Sequence, residues 1–137
     1  MAELFNNYLT KKSHTPNDNT KFIIVPKAGE SISDSGTGSR TQDSVVQLHS
    51  IYITQEVTTN QSANPIANAA FVTLSVVDTT NNLEYPIASN IMVLPHSSFY
   101  IEKAITLKSQ DRLILKYTTL NSTSKTIGTV CSGVELI

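Results

Sequence analysis

Three histidines, a scatter of carboxylates and one thiol are the groups in this 137-residue chain that could carry chemistry. His14, His49 and His96 are widely separated and lack metal-ligand spacing. His49 falls mid-strand in "VVQLHSIYITQ", on the side of Val45 and Ile51, and reads as a partly buried or interface residue. His96 follows Pro95 in a turn. The carboxylates show no local pairing of the kind that general acid–base catalysis uses. Asp34 and Asp43 lie in a polar loop, Asp78 ends a strand, and Glu84 and Glu102 fall in or beside strands. Asp111, in "KSQD", stands where an aspartate caps its own turn. "SISDSG" lacks the converging oxygens of a calcium loop. There is no P-loop, nucleotide-binding glycine signature or catalytic-triad motif. The expectation is a protein that is not an enzyme and uses no metal or cofactor.

Cys131 sits in "GTVCSGVEL", a strand pattern, and reads as a buried, inert thiol. A single cysteine excludes an internal disulfide and a cysteine-built zinc site. Nine aromatic residues and no tryptophan leave one further chemistry, the stacking of a sugar on an exposed ring. Tyr85 and Tyr100 are the candidates for such a glycan-binding platform, against core and edge packing as the plainer use of the rings.

Charge narrows the partners. Ten basic side chains face eleven acidic ones, with no basic run or arginine cluster, so a nucleic-acid groove is not expected. No apolar stretch approaches membrane-spanning length. "MAELFNNYLTKK" lacks the order of a secretory signal, which leads us to expect synthesis in a cytoplasm. Sixteen serines, 17 threonines and 11 asparagines solvate the surface with little charge and suit half-exposed strands and turns.

The elements that must position these residues are short and extended. "TKFIIVP" (20–26) reads as a strand ended by Pro26. In 45–55, Val46, Leu48 and Tyr52 share one face, and Val45, Ile51 and Ile53 the other. "AFVTLSVVD" (70–78) alternates, with Val72, Leu74 and Val76 inward. "TTNN" is a hairpin turn, and Pro86 marks "LEYPIA" as an edge strand. Leu113, Leu115 and Tyr117 alternate with Arg112, Ile114 and Lys116. "TIGTVCSGVELI" closes the chain, with a bend expected at Gly128 or Gly133. Seven to nine short strands with frequent turns predict an all-β fold, an antiparallel two-sheet sandwich of Greek-key or jelly-roll type.

Two segments stand apart in this reading. Residues 1–19 are predicted to be a polar N-terminal arm outside a 20–137 sandwich domain. Leu4, Phe5, Tyr8 and Leu9 have a helix-like spacing there and would need a host surface. Residues 27–44 form a long polar loop with one isolated apolar residue, Ile32, and such loops are functional or disordered. Both could reach a partner, and a second copy of the chain is the general expectation.

The run from "FIIVP" through "VVQLHSIYIT", and the later "AFVTLSVVDTTNNLEYPIA", "IMVLPHSSFYI" and "AITLKSQDRLILKYTT", resemble small β-sandwich virion proteins of tailed bacteriophages, especially those of marine and cyanobacterial hosts. The shared features fall at Val25 and Pro26, Ile51 to Thr54, Asp78 to Asn82, Leu94 to Ser98 and Leu107 to Asp111. The likeness covers about residues 20–120, and the loop after Pro26 is longer than in that pattern. The resemblance implies a particle component at the capsid, the portal or neck, or the tail. It would be made in the bacterial host cytoplasm and would work by protein–protein contact. Phe5, Tyr8 and Leu9 in the arm and Ile32 in the loop are then the expected contact anchors, beside His49.

Overall fold

A computed structural model describes residues 5–14, 21–30, 39–57, 69–95, 97–119 and 125–137. Within them the chain forms nine strands and no helix. They are β1 (Phe5–His14), β2 (Lys21–Val25), β3 (Val45–Val57), β4 (Ala70–Asp78), β5 (Leu83–Val93), β6 (Ser98–Ile101), β7 (Ile105–Leu107), β8 (Asp111–Thr119) and β9 (Lys125–Leu136). The first sheet runs β1-β9-β3, with β6 and β7 both on the far side of β3. The second runs β2-β8-β4-β5.

Every pairing is antiparallel and the pairs are nested: β4 with β5, β3 with β6 and β7, β2 with β8, β1 with β9. A chain doubled into one long hairpin, then wrapped so that successive pairs alternate between two sheets, gives this order. It is the jelly roll. The sequence expectation of a two-sheet antiparallel sandwich holds.

The core lies between the sheets. Val46, Leu48, Ile51, Ile53, Ile127 and Cys131 from the first sheet meet Ile24, Val72, Leu74, Leu113, Leu115 and Tyr117 from the second, all at 1% exposure or less. Gln55 crosses the core. Its amide donates to the Val93 carbonyl at 2.7 Å and so ties β3 to β5 of the opposite sheet.

Strand β3 departs from simple alternation. Its register against β9 shifts between Leu48 and Ser50. The extra residue of this bulge, His49, resets the parity, so Val46, Leu48, Ile51 and Ile53 all point inward. The two-face assignment from sequence is therefore corrected: Tyr52 leaves the Val46 face and points outward. His49 is exposed, not partly buried.

The N-terminal arm is also corrected over 5–14. These residues pair with β9 along their whole length, from Phe5↔Leu136 to His14↔Ile127. Period two governs here, with Tyr8 and Thr10 inward and Phe5, Leu9 and Lys11 outward. The spacing that looked helical is a strand with apolar side chains on both faces. Leu4 lies outside the described residues.

The ends of the 27–44 loop are fixed. Gly29 N donates to Arg40 O at 3.0 Å and Arg40 N to Glu30 O at 3.1 Å, which closes the loop at its base. Arg40 is 4% exposed. Its guanidinium donates to the carbonyls of Pro26, Asp111, Ser44 and Lys108 at 2.7–3.1 Å. Glu30 receives a forked pair from Arg112, at 3.0 and 2.5 Å. Ile32 lies outside the described residues.

Candidate functional site

Among the described residues, exposed apolar and aromatic side chains collect in two places: on edge strand β5 of the second sheet, where Leu83, Tyr85, Ile87 and Met92 are exposed, and across the outer face of the first sheet. Lys11 of β1 is opposite Val130 of β9, Val130 is opposite Tyr52 of β3, and Tyr52 is opposite Tyr100 of β6. One transverse row thus crosses four strands. The Tyr52 and Tyr100 rings stack with centroids 5.8 Å apart and planes 29° from parallel. Tyr52 is 39% exposed and Tyr100 56%. The Tyr52 hydroxyl donates to Glu102 Oε1 at 3.4 Å, at the margin of the face.

The neighbouring rows continue the surface. Leu9 is exposed opposite Ser132, and Ser132 and Ser50 share a 2.6 Å hydroxyl–hydroxyl hydrogen bond. Further along, Phe5 pairs with Leu136, and both are exposed. His49 is exposed on the interior strand β3, whose inner side the second sheet covers, so it belongs to this outer face.

The predicted contact residues therefore separate. Phe5, Leu9, His49 and Tyr100 come together on one face. Tyr8 does not: it is 4% exposed and packs in the core, which raises its phenol pKa well above the ordinary value through desolvation. Its role as a contact anchor is withdrawn. Tyr85 is exposed on β5, an edge of the second sheet, so Tyr85 and Tyr100 do not make a joint platform. Sequence reasoning missed Tyr52 and Val130 as surface residues. The bulge that turns Tyr52 outward has no sequence signal beyond the exposed-type residues "HS" inside an apolar run.

The outer face of the second sheet is different in kind. Lys21 on edge strand β2 forms a 2.8 Å ion pair with Glu84 on the opposite edge strand β5. The pair lies between two adjoining hollows of about 370 and 410 Å³, both lined by Lys21 and Glu84. Phe71, Thr73, Asn90, Lys116 and Tyr117 complete one, and Ile23, Arg112 and Ile114 are among the residues that border the other. Lys21 holds the Glu84 carboxyl below the usual carboxylate range. Asn90 adopts φ 52° at a β5 irregularity and donates its backbone N–H to the Thr73 hydroxyl at 3.0 Å. The lining is mixed in charge and open to solvent, and it gathers no acid–base pair beyond the ion pair itself.

Cys131 is fully buried, and burial pushes its thiol up to about 12. Asp111 caps its turn as expected, accepting from Lys108 N at 2.9 Å. Among the described residues no group of three or more histidine, cysteine or acidic side chains could hold a metal ion, and no helix is long and apolar enough to cross a membrane. No known protein-family model matches the chain, and no curated protein matches it by sequence.

Proposed function

We propose that this chain is a non-enzymatic structural component of a tailed-phage virion, attaching to and reinforcing capsid or neck through contacts repeated over many copies. The observation that carries the reading is the first sheet's outer face, where Leu9, Val130, Tyr52 and Tyr100 stand exposed on four adjacent strands. Exposed apolar surface of this continuity marks a place where another molecule sits. A jelly roll alone does not decide the matter, since capsid subunits, lectins and cupins share it. The resemblance of residues 20–120 to small phage virion proteins favours the particle. Its partners are then further copies and larger virion proteins of the capsid, portal or neck, or tail, rather than nucleic acid or membrane.

The experiment is to purify particles of the phage whose genome encodes the chain and probe them with an antibody to it. The reading expects the protein to sediment with particles in several copies each. Recovery only in the soluble lysate fraction would sink it.

A second reading has one observation behind it. The stacked, exposed Tyr52–Tyr100 pair beside the Glu102 carboxylate is also the kind of surface on which a sugar ring stacks. In a fibre or receptor-binding component the same face would hold a host glycan. A glycan screen with the wild type and Tyr100→Ala separates the two. Binding lost in the variant favours the glycan, and no binding by either protein removes it.

A further inference from the structure

We propose that the hollow between Lys21 and Asn90, on the outer face of the second sheet, binds a saccharide that carries one carboxylate. It lies on the sheet opposite the contact face and stands independently of the virion reading.

A transverse row on this sheet places the charges. Lys21 of β2 is opposite Lys116 of β8, and Lys116 is opposite Thr73 of β4. The Thr73 hydroxyl accepts from the backbone N–H of Asn90 on β5, which extends the row to the far edge. Two lysines directly opposite each other on neighbouring strands weaken a sheet. Glu84 answers Lys21 with its 2.8 Å ion pair. Lys116 is half-buried and, among the described residues, forms no ion pair. The hollow of about 370 Å³ is thus lined by two cations and one carboxylate, a net charge of +1. A ligand with a single negative charge neutralises it, whereas a polyanion is opposed by the Glu84 carboxylate.

The rest of the lining suits a hydroxylated ring. Phe71 stands two residues before Thr73 on the same face of β4, partly exposed in the hollow, and offers an aromatic surface to sugar C–H groups. The Asn90 side-chain amide has no partner among the described residues, so its donors and its acceptor are open to hydroxyls. The Glu84 carboxylate accepts from Lys21 through one oxygen and keeps further lone pairs for ligand hydroxyls. A cation, an amide, a carboxylate and an aromatic ring around one hollow are the complement of an acidic sugar. Its carboxylate meets Lys116, its hydroxyls meet Asn90 and Glu84, and its ring face meets Phe71.

The test is an amide NMR titration of the full chain with sodium glucuronate and, separately, sodium N-acetylneuraminate, which distinguish a uronic from a sialic acid source. Glucose, a ring without the carboxylate, and acetate, a carboxylate without the ring, are the controls. At least one of the two acids is expected to shift the Lys21, Thr73, Glu84, Asn90 and Lys116 amides saturably, about tenfold tighter than either control. Lys116→Met keeps the stem without the charge and is expected to weaken binding by about tenfold. Asn90→Gly tolerates the positive φ of this position and is expected to weaken binding by about fivefold. Lys103→Met, at an exposed lysine outside the hollow, is expected to bind as the wild type does. The dispersion of each spectrum checks that the variant folds. No saturable shift with either acid at tens of millimolar overturns the proposal. So do shifts that map elsewhere, acetate binding as tightly as both sugars, or a folded Lys116→Met that binds undiminished.

Discussion

Gly133 lies so close to β3 that a Cβ added to it would meet the Gln47 carbonyl oxygen at 2.1 Å. The approach occurs where β3 bulges, with Gly133 opposite Leu48 and Ser132 opposite Ser50. This one contact links the sequence to the candidate site. The bulge it accommodates returns Ile51 and Ile53 to the core and sends Tyr52 outward to stack on Tyr100.

Gly133→Ala must therefore move backbone rather than a flexible side chain. The expected cost is about 3 kcal/mol or more, at the upper end for overpacking. Gly128→Ala is the control, since its Cβ would meet only the Thr54 hydroxyl at 3.1 Å. Urea unfolding of both variants checks this. Equal midpoints would show that the bulge is not held by the glycine.

Arg40 pins the base of the long loop to the turn between β7 and β8. Its replacement by alanine strands several carbonyls, two of them the buried partners Pro26 and Ser44. The loss is expected to be about 3 kcal/mol. Arg40→Lys should recover little, because an ammonium cannot reproduce the planar fork. Chemical denaturation of the two variants decides it, and full rescue by lysine would contradict the forked geometry.

Deleting residues 1–14 removes β1, uncovers the edge of β9 and takes Tyr8 out of the core. We expect the truncated chain to be unfolded or aggregation-prone. A well-dispersed NMR spectrum from it would restore the idea of a dispensable arm.

Arg112 holds the Glu30 carboxyl below the usual range by hydrogen bond and charge, against a smaller desolvation effect. A carboxyl lowered on folding stabilises fully above its unfolded pKa, about 4.3, and loses that contribution as pH falls through the lowered folded value. Glu30→Gln should cost about 1 kcal/mol at neutral pH and flatten the acid limb of the stability curve. Denaturant midpoints at neutral and acid pH test this. A wild type and variant with parallel pH curves would show the pair to be inert.

The Cys131 thiol, fully buried and pushed up to about 12, should resist alkylation in the native protein and react once denaturant unfolds it. Mass spectrometry after brief iodoacetamide treatment reads the difference. Stoichiometric native labelling would contradict the packing.

Much of this fold was legible in the residues, and the exceptions have physical causes. The alternation of Leu113, Leu115 and Tyr117, the "TTNN" turn, the Pro86 edge strand and the Asp111 cap all came through, because local geometry alone determines them. Residues 5–14 did not. Their strand exists through pairing with β9, more than a hundred positions away, and a segment apolar on both faces has no distinct period. Tyr52 was missed because one inserted residue reverses every later side chain on a strand. Arg40 was missed because a buried arginine in a polar loop looks no different in sequence from a solvated one.

The most direct test of the contact surface is a density map of the assembled particle. The account predicts repeated copies of the jelly roll, with Tyr52 and Tyr100 covered by a neighbouring protein. A particle in which those two rings face solvent in every copy, or in which the chain has no place, would contradict it.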